Sequence, residues 1–565
     1  MEKKDYKYDA IVIGSGISGG WAAKELCEKG LKTLVLERGR DVTHIKDYPT
    51  TNKYPYEFPH RMEQPYAVKQ ENPIASRCYA FREDTAHFFV KDNEHPYIQD
   101  KPFDWIRGYQ VGGKSLLWAR QTQRWSDYDF EGPERDGFAV DWPIRYNDIK
   151  PWYDYVEKFI GVSGNNDGVA TLPDGHFQKA YPLNIVEQFF KDKLKTRYND
   201  RHVISARCAH LSDPSPVQIA QGRVQCQNRK LCERGCPFGG YFSSNSSTLP
   251  AAAKTGNLTL RPHAVVSSII FDEAQQKATG VVVVDSETNE VMQFEARIIF
   301  VCASTINSNL ILLNSTSASH PNGLGNSSGV LGQYLAFHNY NASIRAAYTG
   351  HLDYRTDGKN PAGGGYIPRF RNVLKQETSF LRGYATTIGA SRPEAIDSAA
   401  MGDQLRQSLL NPTLGDWRVG SHMMGETIPK ISNTVSLSTT QKDKWGVPLV
   451  RIAIDYDDND HLMTQDYLEQ MSEMFEYAGF KNIETNIRNQ APGLDIHEMG
   501  GVRMGADPKS SILNKWNQMH DCKNVFVTDG SCMTSVSTQN PSLTFMALTA
   551  RAVDYAVNEM KKMNL

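Results

Sequence analysis

Three cysteines fall within eleven residues of a chain that is otherwise sparing with them: Cys226, Cys232 and Cys236, in CQNRKLCERGCPFGG. Thiolates exchange disulfides, bind metals and hold iron–sulfur clusters, so this C-x₅-C-x₃-C-P spacing is a first candidate for chemistry. Near the carboxy terminus, HEMGGVRMG opens with His497, and STQNPSLTF carries Asn540, 43 residues further on. A neutral imidazole accepts a proton near neutral pH, its reference pKa being about 6.5, and a carboxamide beside it can hydrogen-bond the same oxygen. Taken alone, such a histidine more often satisfies its own turn. A third candidate opens the chain: Gly14, Gly16 and Gly19 spell G-x-G-x-x-G in VIGSGISGG.

These residues need elements to position them. AIVIG is a short β-branched run that predicts a buried strand; WAAKELCEKG predicts a helix closed by Gly30; KTLVLE predicts a second strand. In such a βαβ unit the first glycine permits the tight turn, the second lets backbone approach a pyrophosphate, and the third lets helix and strand pack closely. Glu37 ends the second strand, 23 residues after Gly14, where a carboxylate accepts hydrogen bonds from a ribose diol and repels a 2′-phosphate. The unit predicts a dinucleotide site without choosing between FAD and NAD. GYQVGGKSLLW reads as a second glycine-centred turn entering a helix. IIFVCAS and NVFVTDGS read as buried strands, the second ending in an acid. NPSLTFMALTARAVDYAV reads as a helix with Pro541 in its first turn and Asn540 as N-cap.

The 565 residues exceed one compact core, so two or three domains, or one with insertions, are expected. Hydrophobic content of 40%, charged content of 22% and a net charge of −2 describe an ordinary globular protein with no electrostatic call on nucleic acid or an anionic membrane. No apolar run reaches membrane-spanning length, and the opening residues show no signal-peptide core. The expectation is a cytoplasmic protein, or a periplasmic one if it is co-exported with a signal-bearing partner. Nine cysteines, an odd number, make no disulfide scaffold; Cys27 and Cys302 read as small buried hydrophobes. Residues 41–106 are rich in Pro, Tyr and charge and read as an arm wrapped on the body, or else as a lid. DIKPWYDYVEKFIG reads as a helix with Tyr153, Val156 and Phe159 on its core side. Residues 257–304 read as strands, NTVSLSTTQKDKWGVPLVRIAIDY as a hairpin, and HLMTQDYLEQMSEMFEYAGF as an amphipathic helix.

The order of VIGSGISGG, VGGKSLLW, YNDIKPWYDYVEKFIGVSG, IIFVCASTINSNLILL and the histidine-to-NP ending resembles the glucose–methanol–choline (GMC) flavoprotein oxidoreductases over nearly the whole chain. The resemblance implies an α/β fold: a Rossmann-like FAD-binding domain (residues 1–130, 206–335 and 490–565, with the cysteine loop 222–242) and an inserted α+β substrate domain (131–205 and 336–489). It implies FAD held by Gly14, Ser15, Gly16, Ser18, Gly19, Glu37, Arg38, Gly112, Gly113, Ser115, Val266, Cys302, Ala303, Asp529, Gly530, Asn540 and Ser542. His497 and Asn540 match the family's catalytic pair. Where covalently flavinylated relatives carry a histidine before the tryptophan of the GG…W segment, this chain has Leu117 before Trp118, so FAD is expected to be non-covalent.

The cysteines alone leave a disulfide or free thiols, zinc, and an iron–sulfur cluster open. Zinc wants four ligands, commonly in C-x₂₋₄-C pairs, whereas three thiolates ending in C-P suit a cluster. The spacing resembles that in catalytic subunits of bacterial FAD-dependent sugar dehydrogenases, of the glucoside 3-dehydrogenase and gluconate 2-dehydrogenase large-subunit type. That implies a 3Fe–4S cluster on Cys226, Cys232 and Cys236, a sugar or glycoside substrate oxidised at a secondary hydroxyl such as C3, and a small subunit with a cytochrome-type acceptor. Hydride would go to flavin N5 and the proton to His497. The competing readings are an O₂-using sugar oxidase of the pyranose-oxidase type, a GMC-fold lyase with structural FAD, and an electron-transfer subunit without a substrate.

Overall fold

The computed structural model describes residues 7–354, 364–395, 399–411 and 413–565. Its first sheet is built around Tyr8–Ile13, which pairs in parallel with Thr33–Leu36 on one side and with Val291–Val301 on the other. Leu258–Arg261 and Val525–Val527 extend the parallel set. The strand Val291–Val301 does two jobs. Its first half closes an antiparallel meander with Ala264–Asp272 and Lys277–Asp285, and its second half enters the parallel sheet. The burial pattern follows: alternating through the meander, then continuous from Ile298 to Val301, as a strand covered on both faces requires. The helices Ile17–Glu28 and Ser542–Lys561 pack together against this sheet through Ala22, Leu26, Ala552 and Val553.

The second sheet is antiparallel, in the order Lys481–Ile487, Ala342–Tyr348, Trp417–Glu426, Tyr384–Ser391, Gly365–Ile367, Ile204–Ser205. The helix Asp458–Tyr477 backs it, burying Met463, Tyr467, Met471, Met474 and Phe475. Asp457 caps that helix by accepting from the Asp460 N–H. The predicted hairpin forms between Thr434–Lys442 and Pro448–Ala453. In the helix Tyr146–Ile160, Tyr153 and Val156 are fully buried, while Phe159 packs at the core's margin. Among the described residues no helix is long and apolar enough to cross a membrane.

Two local expectations change, and a third, closure of the first helix by Gly30, is met one residue past its cap. GYQVGGKSLLW enters no α-helix: it makes one 3₁₀ turn, Gly113–Leu116, because the Ser115 hydroxyl donates back to the Gly112 carbonyl and the chain turns left-handed at Arg120 (φ 65°). Asn540 does not cap the last helix. Pro541 occupies that position and needs no capped N–H of its own, while the Asn540 amide is spent on His497. The helix before Gly30 ends at Glu28 with Lys29 as its cap, and Gly30 follows in the left-handed region (φ 87°). The 41–106 arm folds into short 3₁₀ turns, one helix, Tyr66–Glu71, and a short strand, Ile98–Gln99, that pairs with Pro448–Ala453; its Val42, Tyr48, Phe81 and Phe88 share a small core with Leu116 and Leu117.

Candidate active site

The parallel strands all point one way, and the residues just past their carboxyl ends line a single cavity of about 540 Å³. Gly14–Ser18, Glu37–Arg38, Cys302–Thr305 and Asp529–Gly530 each follow one strand of this sheet. This is where open parallel sheets bind ligands, because loops there diverge and helix N-termini point inward. The other walls come from Gly113–Ser115 and Trp118–Gln121, from Val266, from His497, Asn540 and Ser542, and from the antiparallel sheet through Thr387, His422 and Met424.

The three motif glycines meet three different demands. A Cβ on Gly14 (φ 95°) would lie 2.5 Å from the Cys302 carbonyl oxygen, and one on Gly19 would lie 1.9 Å from the Gly14 oxygen. On Gly16 a Cβ would meet nothing within 4 Å and would project into open space at the start of the helix Ile17–Glu28. Such bare backbone at a helix N-terminus is a cradle for a pyrophosphate. Glu37 is buried and accepts from the Ser15 N–H at 3.1 Å, the Ser15 hydroxyl at 2.5 Å and the Gly39 N–H at 3.0 Å. Burial pushes its carboxyl pKa up, and these donors offset the shift.

Of the site residues expected from sequence, Gly14, Ser15, Gly16, Ser18, Glu37, Arg38, Gly113, Ser115, Val266, Cys302, Ala303, Asp529, Gly530, Asn540, Ser542 and His497 line the cavity. Gly19 and Gly112 stand behind the wall. Gly19 packs on Gly14, and the Gly112 N–H donates to the Ser15 hydroxyl at 2.9 Å. Asp529 is held by Ser308 and Ser531 hydroxyls, each at 2.5 Å.

His497 and Asn540 meet: the Asn540 Nδ2 lies 3.2 Å from His497 Nε2. His497 shows part of its surface to the cavity and is otherwise enclosed. Burial, with His338 and Lys114 nearby, pushes its pKa well below the usual histidine value. The backbone just before it is strained. Ile496, a β-branched residue, sits at φ 63°, at a cost of roughly 1–3 kcal/mol of the kind that gathers at functional sites. Sequence reading missed two neighbours. Lys114 Nζ lies 3.3 Å from Glu498 Oε2, and His338 Nδ1 lies 2.8 Å from His497 Nδ1.

The cysteine loop lies behind this wall. All nine cysteines are unpaired, and Cys27 and Cys302 are buried as expected. Cys226, Cys232 and Cys236 are half-buried, and the 3₁₀ turn Cys232–Arg234 packs against the Gly113–Leu116 turn of the cavity wall. Their sulfur atoms do not converge on one point as ligands of a single zinc would. Among the described residues the metal-ligating side chains that come that close are His338, Asp495 and His497. Two buried guanidiniums adjoin the thiols. Arg120, next to Cys232, donates to Glu233 at 3.0 Å but leaves Nε and Nη1 without partners. Arg223, next to Cys236, donates only to the neutral oxygens of Gly239, Ile160 and Gln221 and leaves Nη2 unpartnered. Burial lowers its pKa to about 9, with Cys236 as the offsetting charge.

Residues 8–340 and 429–549 match the amino- and carboxy-terminal regions that define the GMC oxidoreductases. The 2-methyl-1,2-propanediol dehydrogenase of Mycolicibacterium austroafricanum is 28% identical over 97% of this chain and 94% of its own. The fructose dehydrogenase large subunit of Gluconobacter japonicus is 25% identical over the full length of both. Among solved structures, pyridoxine 4-oxidase from Mesorbium loti superposes with a TM-score of 0.59 at 15% identity, covering 97% of this chain and 99% of its own, which establishes the shared fold. With the βαβ cradle, the carboxyl-end cavity and a family match over most of its length, this chain belongs to the GMC oxidoreductase family.

Proposed function

We propose that this enzyme, an FAD-dependent oxidoreductase of CH–OH donors, is a dehydrogenase that oxidises a secondary hydroxyl of a sugar or glycoside and passes electrons to a protein acceptor. One observation carries the reading: His497 Nε2 and the Asn540 amide stand together on the wall of the cavity that also contains the glycine cradle and Glu37. FAD bound there supplies the hydride acceptor. Gly14, Gly16 and the N-terminus of Ile17–Glu28 suit its pyrophosphate, Glu37 its ribose, and Asp529 and Gly530 its ribityl–phosphate region. Leu117 offers no nucleophile for a covalent link.

His497 takes the hydroxyl proton at Nε2, and Asn540 orients the same oxygen. Thr387 and His422 of the antiparallel sheet, and Tyr340 in the link before its strand Ala342–Tyr348, supply polar groups to the same cavity, as a polyhydroxylated donor needs. The fructose dehydrogenase likeness supports a sugar, and that relative's designation as a large subunit supports a partner subunit. The diol dehydrogenase likeness supports alcohol oxidation more broadly. Resemblance to glucoside 3-dehydrogenases makes C3 the position to score in the product.

The unspent N–H groups of Arg120 and Arg223 fit an anionic group held by the three thiolates. That favours the 3Fe–4S reading, in which the cluster would relay single electrons outward to a small-subunit and cytochrome-type chain. Burial raises the pKa of Cys232 to about 11, and raises that of Cys226 too; a bound metal would favour the thiolate forms against that burial.

Anaerobic mixing of the holoenzyme with a panel of sugars, glycosides and diols tests the reading. Flavin bleaching by a sugar or glycoside, ketone in the product, and turnover with a one-electron acceptor but little peroxide are expected; bleaching by small diols alone would replace the substrate class. A base is lost as pH falls through its pKa, and the His497 pKa is depressed, so the acid limb of kcat/KM should lie below about pH 6.5. A limb above that value would show that another group is the base.

A further inference from the structure

We propose that His338 is a positioning residue that fixes the tautomer of His497, so that the Nε2 lone pair always faces the cavity. The inference rests on His497 being the base of the proposed reaction.

The two rings are brought together by strand pairing. Gln333–Ala336 and Met499–Gly501 run antiparallel with Ala336 opposite Met499. Continuing that register by two residues sets His338 opposite His497, and their Nδ1 atoms are 2.8 Å apart with the rings nearly perpendicular. His338 Nε2 lies 2.6 Å from the Ser537 carbonyl oxygen. A carbonyl only accepts, so Nε2 of His338 carries its proton. His338 is fully buried, and burial lowers its pKa to about 4, so it is neutral and its Nδ1 is a bare acceptor. The proton between the two Nδ1 atoms therefore belongs to His497. That leaves Nε2 of His497 unprotonated, and the Asn540 Nδ2 donates to it at 3.2 Å. Every bond in the chain from Ser537 to Asn540 has one donor and one acceptor, and reversing any one of them strands a partner.

The same loop supplies both ends of the chain, since Ser537 and Asn540 lie three residues apart. His338 is itself pinned through its backbone N–H, which donates to Asp495 Oδ2 at 2.9 Å. Of the closely approaching His338, Asp495 and His497, the two imidazoles form a hydrogen-bond relay through the Nδ1 pair, while Asp495 accepts from the His338 backbone N–H through Oδ2 and leaves Oδ1 unpartnered. When His497 takes the substrate proton at Nε2, its Nδ1–H keeps its acceptor, so the relay serves both states.

The experiment uses ¹⁵N-histidine-labelled holoenzyme without substrate, with the His497 signals assigned through His497→Gln. Wild type should show His497 protonated at Nδ1 and bare at Nε2. His338→Leu removes the acceptor; its His497 should lose that single tautomer, and the rate of flavin reduction by any donor that reduces wild type should fall on the order of 10²-fold with substrate affinity unchanged. His338→Asn returns an acceptor oxygen near the Nδ1 position and should restore most of the rate. An Nε2-protonated His497 in wild type overturns the proposal, even if His338→Leu fails to fold or no donor is found. So does a His338→Leu enzyme of near-normal rate, or a His338→Asn enzyme as slow as His338→Leu. Because the tautomer is read without substrate, a wrong donor class leaves this result standing.

Discussion

His497→Ala is expected to slow flavin reduction by the donor roughly 10²–10⁴-fold, equivalent to about 3–5 kcal/mol of barrier, while FAD stays bound. The size follows from what the side chain does: it takes the hydroxyl proton as the carbon gives up hydride, an interaction that strengthens toward the transition state. Losses of that kind appear in the rate of the chemical step more than in substrate affinity. FAD retention is expected because the cradle residues Gly14, Gly16 and Glu37 lie on other loops, and His497 makes no bond to them. Anaerobic stopped-flow with the wild-type donor separates the two quantities, since the limiting rate of bleaching reports chemistry and its half-saturation reports binding. Added imidazole should recover part of the rate by re-entering the space vacated beside Asn540. A fall of less than tenfold, or a fall confined to half-saturation, would leave His497 as a binding group and move the base elsewhere. Asn540→Ala should cost less, because it removes an orienting hydrogen bond and leaves the lone pair in place.

How much of this was legible in the sequence depends on how local each demand is. Gly14, Gly16 and Gly19 announce themselves because a tight turn, a bare helix start and a close helix–strand contact all arise within six residues, and the structure shows each glycine meeting its own demand. Cys27 and Cys302 are readable for the same reason, as members of apolar runs. His338 is not. Nothing in AFHNY marks a functional histidine, and its role exists only because strand pairing sets it against a residue 159 positions away. Arg120 and Arg223 are equally silent: an arginine becomes informative only when burial leaves its N–H groups unspent. Asn540 shows the opposite failure. An Asn before Pro reads as a helix cap from local rules, yet its amide is taken by a residue 43 positions away. Propensity gave way there to a tertiary bond it could not foresee.

Removing the cysteines tests the electron path separately from the chemistry at His497. The purified wild-type protein should contain iron and acid-labile sulfide and show the electron paramagnetic resonance signal of an oxidised three-iron cluster. Replacing Cys226, Cys232 and Cys236 together by serine should abolish all three. Substrate bleaching of the flavin should persist, since none of the three thiols lines the cavity. Steady-state turnover with a one-electron protein acceptor should fall by an order of magnitude or more, because the hydride pair then has no relay outward. The two arginines sharpen the test. Arg223 is buried with no carboxylate against it, an arrangement that costs several kcal/mol unless an anion compensates. If a cluster is that anion, Arg223→Met should leave iron in place but make the cluster harder to reduce, because a positive charge beside it is gone. Redox titration of the resonance signal reads this directly. An iron-free wild-type preparation made under anaerobic, iron-replete conditions would remove the cluster from the scheme, and the uncompensated charge on Arg223 would then require a different anion. A triple variant that still serves the protein acceptor at the wild-type rate would show that electrons leave the flavin by another route, with the loop acting as a structural brace under the Gly113–Leu116 turn.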